Sequence, residues 1–276
     1  MARNLLVAWH CTWHCGCRAS IPKGIFVYNA LMKKKRLDTL LVERGCFPDD
    51  AAALRAVLAR KVKVGDAYAT SAAVLVPSDA EVAVTGRKRF VSRGGHKLQG
   101  ALDAFGQDVT GMRCLDIGAS TGGFADCLLQ AGAAHVTCLD VNYGQLDWTL
   151  RQDGRVAVFE RTNIRHADPT ALGGPFDLLV ADLSFIGLAR LAPVFARFAR
   201  RGTVFIGLVK PQFESRPGEA DCGVVRDPQV RERVVKEVEA ALNQASFAPT
   251  GVEESPLKGA DGNVELFVRA VFEAEG

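Results

Sequence analysis

Cys114-Leu-Asp-Ile-Gly-Ala-Ser-Thr-Gly-Gly-Phe124 decides how the chain folds. An apolar run closes at Asp116 and a glycine-rich turn follows. An amphipathic segment then runs from Phe124 to Ala131. After Gly132 a second apolar run, His135-Val-Thr-Cys-Leu139, stops at Asp140. The pattern is strand, glycine loop, helix, strand, acid. Such a loop brings bare backbone amides and a helix N-terminus up to a ligand. An acid at the tip of the next strand can accept hydrogen bonds from two ribose hydroxyls. The stretch therefore predicts a nucleoside-binding βαβ unit.

The glycine spacing narrows the nucleoside. Gly118-Ala-Ser-Thr-Gly122-Gly123 misses the G-x-G-x-x-G dinucleotide pattern, and no Gly-Lys-Ser/Thr follows to make a phosphate-cradling loop. It resembles the first motif of S-adenosylmethionine-dependent methyltransferases, whose ligand carries an amino acid and a ribose but no phosphate. That resemblance implies donor contacts from Asp116, Gly118, Ser120, Gly122, Gly123, Phe124 and Asp140. Asn163 lies where the third strand's end could meet adenine, although a polar turn residue is equally ordinary there.

Working outward, βα alternation continues. Strands are expected near 113–117, 135–140, 155–159, 176–182 and 203–209, with a late antiparallel pair near 246–254 and 264–272. Helices are expected near 123–131, 144–151, 187–200 and 228–245. This is an α/β doubly wound, Rossmann-like sheet. Upstream, Leu37, Leu40 and Leu41 share one helical face that stops at Gly45, and Pro48-Asp49-Asp50 opens a second helix through Arg60. Short strand-like runs follow at Val62–Val64, Ala73–Val76 and Ala80–Val84. Thr85-Gly-Arg-Lys-Arg89 is a polar, basic connection and the expected boundary region.

The helix-helix-strand order of about sixty residues resembles the small S-four-like RNA-binding module, an α+β domain, expected over 32–90. The resemblance rests on Arg36-Leu37-Asp38, on the Ala52–Lys63 segment passing into Gly65, and on the Val74–Pro77 run. It implies that Arg36, Arg55, Arg60, Lys61 and Lys63 face folded RNA. The alternative is a helical cap on the main domain.

Four charged residues remain. Asp182 closes the run Leu178–Ala181 and Lys210 closes Ile206–Val209, at the carboxyl edge of a parallel sheet, where ligands bind. Lys97 follows Ser92-Arg-Gly-Gly-His, and Glu265 opens Leu-Phe-Val. Charges closing apolar strands are costly unless paired or functional. Ser92-Arg-Gly-Gly-x-Lys97-Leu98, Asp116-Ile-Gly-Ala-Ser-Thr-Gly-Gly-Phe124, Asp182-Leu-Ser-Phe185, Val209-Lys-Pro-Gln-Phe-Glu214 and Gly262-Asn-Val-Glu265 together resemble the TlyA family. Its members join an S-four-like domain to an FtsJ-like ribose 2′-O-methyltransferase, here expected over 91–276, and some were first described as haemolysins.

The resemblance implies a Lys97-Asp182-Lys210-Glu265 catalytic tetrad, RNA contacts from Ser92 and Arg93, S-adenosylmethionine as cofactor, and cytidine riboses of ribosomal RNA or ribosomal subunits as partner. It implies a cytoplasmic enzyme without a metal. A ribose 2′-hydroxyl is neutral at pH 7, so transfer needs positioning and a base. A lysine made less basic by burial and a neighbouring cation can serve. Lys210 is the expected base, with Asp182 orienting it. Lys97 and Glu265 would complete the hydrogen-bond network and hold the ribose. A base methyltransferase is disfavoured: exocyclic-amine enzymes usually carry Asn/Asp-Pro-Pro-aromatic where Asp182-Leu-Ser-Phe185 stands. A membrane-active haemolysin would call for an apolar spanning run or a basic amphipathic helix.

Composition agrees with an ordinary globular protein. The 276 residues are 48% hydrophobic and 24% charged, with a net charge of +3, and no apolar run reaches the length of about 18 residues that spans a bilayer. Basic residues cluster at 33–36, 55–63, 87–97 and 197–201, which suits a polyanion better than the small net excess does. Of eight cysteines, five are dispersed and read as buried thiols of a reducing compartment. Three crowd His10-Cys11-Thr-Trp-His14-Cys15-Gly-Cys17, a set of zinc-capable side chains without a zinc-site spacing. Residues 1–31 read as an unstructured extension before Met32 and not as a signal peptide.

Overall fold

A computed structural model of the chain describes residues 33–86 and 89–274. The extension over 1–31 with its Cys/His cluster, and basic residues Arg87 and Lys88, lie outside the described residues. The chain divides into two compact units, the first ending at Thr85 and the second beginning at Gly86.

The first unit contains β1 (Lys34–Arg36), α1 (Leu37–Glu43), α2 (Asp50–Leu58), β2 (Val62–Val64), β3 (Ala67–Tyr68), β4 (Leu75–Pro77) and β5 (Val82–Val84). Strands β1 and β4 pair antiparallel, and β2 pairs with both β3 and β5. The leucine face of α1 and Ala53, Ala56 and Val57 of α2 close over Val62 and Val76 as one small core. The Asp49 side chain caps α2 by accepting from Ala52 N at 2.6 Å. Two strands were not expected. The lysine-rich β1 has no apolar alternation to betray it and forms by pairing with β4, while β3 is only two residues long.

The second unit contains α3 (Arg93–Phe105), β6 (Arg113–Ile117), α4 (Gly123–Gln130), β7 (His135–Leu139), α5 (Trp148–Arg151), β8 (Val156–Phe159), β9 (Phe176–Ala181), α6 (Ala192–Phe195), β10 (Ala199–Val209), α7 (Pro211–Glu214), α8 (Pro228–Gln244), β11 (Phe247–Glu254) and β12 (Leu266–Phe272). Its seven strands run in the order β11-β12-β10-β9-β6-β7-β8. β6 through β10 are mutually parallel, and β12 pairs antiparallel with both β10 and β11. Side chains alternate across the sheet. Leu115, Leu179 and Phe205 enter the core that contains Phe195, Val234 and Val238, while their neighbours Cys114, Leu178 and Ile206 enter the core beneath Leu98 and Leu128. Both faces are covered, as a parallel sheet requires. The strand order reverses between β6 and β9, so a crevice opens at their carboxyl ends.

Two expected helices are shorter than the sequence pattern indicates. The helix expected over 144–151 is reduced to α5, because Asp147 caps it by accepting from Thr149 N at 2.8 Å. Gly144, at φ +73°, instead donates its N–H to the Glu160 carboxylate. The helix expected over 187–200 breaks into α6 between two 3-10 turns. Pro193 supplies no amide hydrogen, and β10 already begins at Ala199. Of the five described cysteines, all free, Cys114, Cys127 and Cys138 are buried. Cys46 is half-buried and Cys222 is exposed, unlike the expectation. Burial pushes the Cys114 and Cys127 thiols up to about 12.

Candidate active site

Three hollows adjoin one another at the carboxyl edge of the parallel strands, and Asp182 and Ser184 line all of them. The first, of about 290 Å³, lies over the tips of β6 and β7. Its lining includes Gly118, Ser120, Leu139, Asp140, Asn163 and Ile164. Asp140 is fixed by accepting from Ser120 N and Asn142 N, each at 2.7 Å, one on each carboxylate oxygen. Each oxygen keeps a further lone pair for a ligand hydroxyl. Asn163 lines this hollow while also closing its own turn, accepting from Arg165 N at 3.1 Å.

The second hollow, of about 160 Å³, is enclosed by the glycine loop and the start of α3. Asp116, Gly118, Ser120, Gly123 and Phe124 line it together with Ser92 and Gly94. Asp116 is fully buried. Its Oδ2 accepts from Ala125 N at 2.9 Å, while Oδ1 has no partner. Burial, with the Asp182 and Asp140 charges adding to it, pushes this carboxyl up to about 8. The loop glycines are sterically required. Gly118 has φ +83°, and a Cβ there would stand 2.7 Å from the Asp182 carbonyl oxygen. Gly122, at φ +92°, lines neither hollow. It packs against Leu146 and Leu150 and starts α4.

The third hollow, of about 360 Å³, contains all four charged residues singled out from the sequence: Lys97, Asp182, Lys210 and Glu265. They form two ion pairs. Lys97 Nζ donates to Glu265 Oε2 at 2.5 Å, with both residues buried. Lys210 Nζ stands 2.7 Å from Asp182 Oδ1 and donates to Ser184 Oγ at 3.2 Å. The near neighbour of Lys210 is the Asp182 carboxylate, while Lys97 is turned to Glu265. Arg93 lines the same hollow and donates to the Lys258 carbonyl at 2.7 Å, whereas Ser92 lines the glycine-loop hollow.

Several lining residues were not foreseen. Phe185 is 92% exposed at the rim shared by the first and third hollows, holds φ +68°, and lies 5.6 Å centroid to centroid from Phe213. A bulky side chain at positive φ marks a turn held by its surroundings. Gln212 and Asp261 line the third hollow, and Gln212 Oε1 is buried without a partner. The hydrophobic pattern gives no sign of them: Phe185 and Asp261 sit on loops between elements, and Gln212 in the single turn of α7.

In the first unit, Arg36, Arg55, Arg60 and Lys61 are exposed. Arg36 is engaged by Asp38 at 2.6 Å, and Lys63 lies over the Tyr68 ring at 5.0 Å. Among the described residues no group of three or more His, Cys, Asp or Glu side chains is placed to hold a metal ion. No described helix is long and apolar enough to cross a membrane.

A parallel sheet with this glycine loop at its switch point, next to a hollow of paired lysines and acids, defines a Rossmann-like methyltransferase. Comparison with known proteins agrees. The profile of the FtsJ-like methyltransferases matches residues 90–272. The 16S/23S rRNA (cytidine-2′-O)-methyltransferase TlyA of Mycobacterium tuberculosis is 46% identical over 86% of this chain and 90% of its own length. Hemolysin A of Brachyspira hyodysenteriae is 35% identical over 86% of this chain and its full length. A solved structure from Streptococcus thermophilus, provisionally described as a hemolysin, is 36% identical and superposes with a TM-score of 0.66 over 88% of this chain and 90% of its own. The chain belongs to the TlyA family of FtsJ-like methyltransferases.

Proposed function

We propose that the protein transfers the methyl group of S-adenosylmethionine to the ribose 2′-oxygen of a cytidine in ribosomal RNA, in the cytoplasm. The observation that carries this reading is the placement of Lys97, Asp182, Lys210 and Glu265 around one hollow that shares Asp182 and Ser184 with the donor side. The Mycobacterium tuberculosis relative, by its name, supplies the target chemistry.

The residues of the donor side fit the cofactor. Asp140 offers its oxygens to ribose hydroxyls, and the unpartnered Asp116 Oδ1 offers an acceptor to a cationic group. Gly118 leaves no room for a side chain at the loop. The carboxylates Asp140 and Asp182, beside the buried Asp116 carboxyl, suit a ligand of net positive charge. When bound, S-adenosylmethionine supplies an activated sulfonium methyl and a positive charge close to Lys210.

On the acceptor side, Lys210 in its neutral amine form would accept the proton of the 2′-hydroxyl as that oxygen bonds the methyl carbon and the carbon–sulfur bond to the donor breaks. Asp182 and Ser184 hold the Lys210 amine in place. The Lys97–Glu265 pair supplies fixed hydrogen-bonding groups for the ribose, and Arg93 a contact to RNA. A positioned base contributes about 10²–10⁴-fold. The first unit grips RNA through Arg36, Arg55, Arg60, Lys61 and Lys63. Its exposed basic residues and S-four-like element order support that role.

The test is transfer of tritiated methyl from S-adenosylmethionine to ribosomal subunits lacking the modification, with nuclease mapping of the product. Label on a cytidine 2′-oxygen, lost in Lys210→Ala, is expected. Label on a base, or release of liposome contents in place of methyl transfer, would overturn the proposal. An unimpaired Lys210→Ala beside an inactive Lys97→Ala would overturn the assignment of the base.

A further inference from the structure

Two segments leave neighbouring parallel strands at the site. One, the loop 182–188, follows β9 and carries Asp182, Ser184 and Phe185. The other, 210–214, follows β10 and consists of Lys210 and the single turn of α7, with Gln212 and Phe213. The ion pair of Lys210 with Asp182 joins them at one end, and the Phe185–Phe213 contact in the middle. The far end is joined by a residue outside the catalytic set. The Glu214 carboxylate accepts the backbone N–H of Leu188, at the end of the 182–188 loop. It does so from a largely desolvated position, and burial raises its pKa.

The fit is tight at a second point. Gly187 lies under this carboxylate, and a Cβ there would stand 2.7 Å from Glu214 Cδ. Lys210 and Glu214 bracket the single turn of α7, where Phe213 N bonds to Lys210 O at 2.9 Å and Ser215 N to Pro211 O at 2.8 Å. A shift of the Glu214 end therefore reaches the Lys210 end through one rigid turn.

We propose that Glu214 is a positioning residue for methyl transfer, locking the 182–188 loop to α7 so that Lys210 meets Asp182 and Ser184. It touches neither donor nor acceptor and acts through these two segments. The inference rests on the proposed 2′-O-methyl transfer.

The experiment measures turnover per donor-binding site, counted by calorimetric titration with S-adenosylmethionine, for wild type, Glu214→Gln, Glu214→Ala, Gly187→Ala and Glu214→Ala/Gly187→Ala. Glu214→Ala is expected to lower kcat by about 10–100-fold while KM for the ribosomal substrate moves by less than about threefold, since misplacing a catalytic group by an ångström costs that much. Glu214→Gln, which keeps an acceptor for Leu188 N–H, is expected to retain activity within about fivefold. Gly187→Ala is expected to reproduce the alanine defect by displacing the carboxylate, and the double variant to be no worse than either single one. A Glu214→Ala protein with normal kcat per donor site, or additive losses in the double variant, would overturn the proposal. If Glu214→Ala does not fold, Gly187→Ala and Glu214→Gln decide it alone. Wild-type protein that transfers no methyl to ribose would sink the proposed function itself, a result distinct from active wild type with unaffected variants.

Discussion

Asp116→Asn should make the protein more stable and a poorer donor binder, and the stability gain should depend on pH. The unfolded chain releases the Asp116 proton near the ordinary value of 3.8, whereas the folded protein holds it up to about 8. Between those values the folded state binds more protons than the unfolded one, so rising pH erodes stability through this window and no further above it. The cost accumulates at about 1.4 kcal/mol per pH unit, which gives roughly 1–2 kcal/mol at pH 5 and roughly 4 kcal/mol at pH 7. Asparagine has no proton to lose and keeps an oxygen for Ala125 N, so it escapes this cost. Even half of the pH 7 figure raises Tm by about 4–8 °C for a domain of this size. Urea unfolding of wild type and variant at pH 5 and pH 8 measures the gap, which should widen with pH. A gap that is equal at both values, or a wild type more stable than the variant at pH 8, refutes the argument. The same change puts an amide N–H where the unpartnered Asp116 oxygen stood in the donor hollow. Titration calorimetry should then show S-adenosylmethionine binding weakened by about 10–100-fold, the usual loss of a hydrogen bond to a charged group. Tight donor binding with the stabilised variant would mean that the unpartnered Oδ1 is not a ligand contact.

The remaining predictions concern the buried pair and the loop. Lys97→Met leaves Glu265, 3% exposed, without its partner and should cost about 3–5 kcal/mol in urea unfolding, most of it regained in Lys97→Met/Glu265→Leu while methyl transfer stays lost. If the double variant is no more stable than the single one, desolvation of the unpaired charge is not the cause. Gly118→Ala puts a Cβ 2.7 Å from the Asp182 carbonyl at φ +83° and should abolish measurable donor binding in calorimetry, with about 1–3 kcal/mol of strain in unfolding. Near-normal binding by this variant would show that the loop can move aside.

The sequence by itself determined the alternation of β and α elements, the switch-point glycine loop and the four charged residues at the site. Those readings depend on local signals. Hydrophobic periodicity sets the element type, glycine spacing sets the turn, and a charge that closes an apolar strand is too costly to be casual. Residues 168 positions apart, Lys97 and Glu265, were named together because motif order could be matched along the chain.

Only the tertiary structure decided the pairing among those four. It turned Lys97 to Glu265 and gave Lys210 an anion for a neighbour, because partner choice depends on loop paths that no periodicity encodes. The same holds for β1, a run of basic residues made a strand by β4, and for the 187–200 stretch, where helical spacing yields to Pro193 and to the demand of β10 for pairing from Ala199 onward. Glu214 and Gly187 are the sharpest case. Glu214 closes a motif visible in the sequence, but no local signal ties it to Gly187, and their fit appears only when two strand ends are brought side by side.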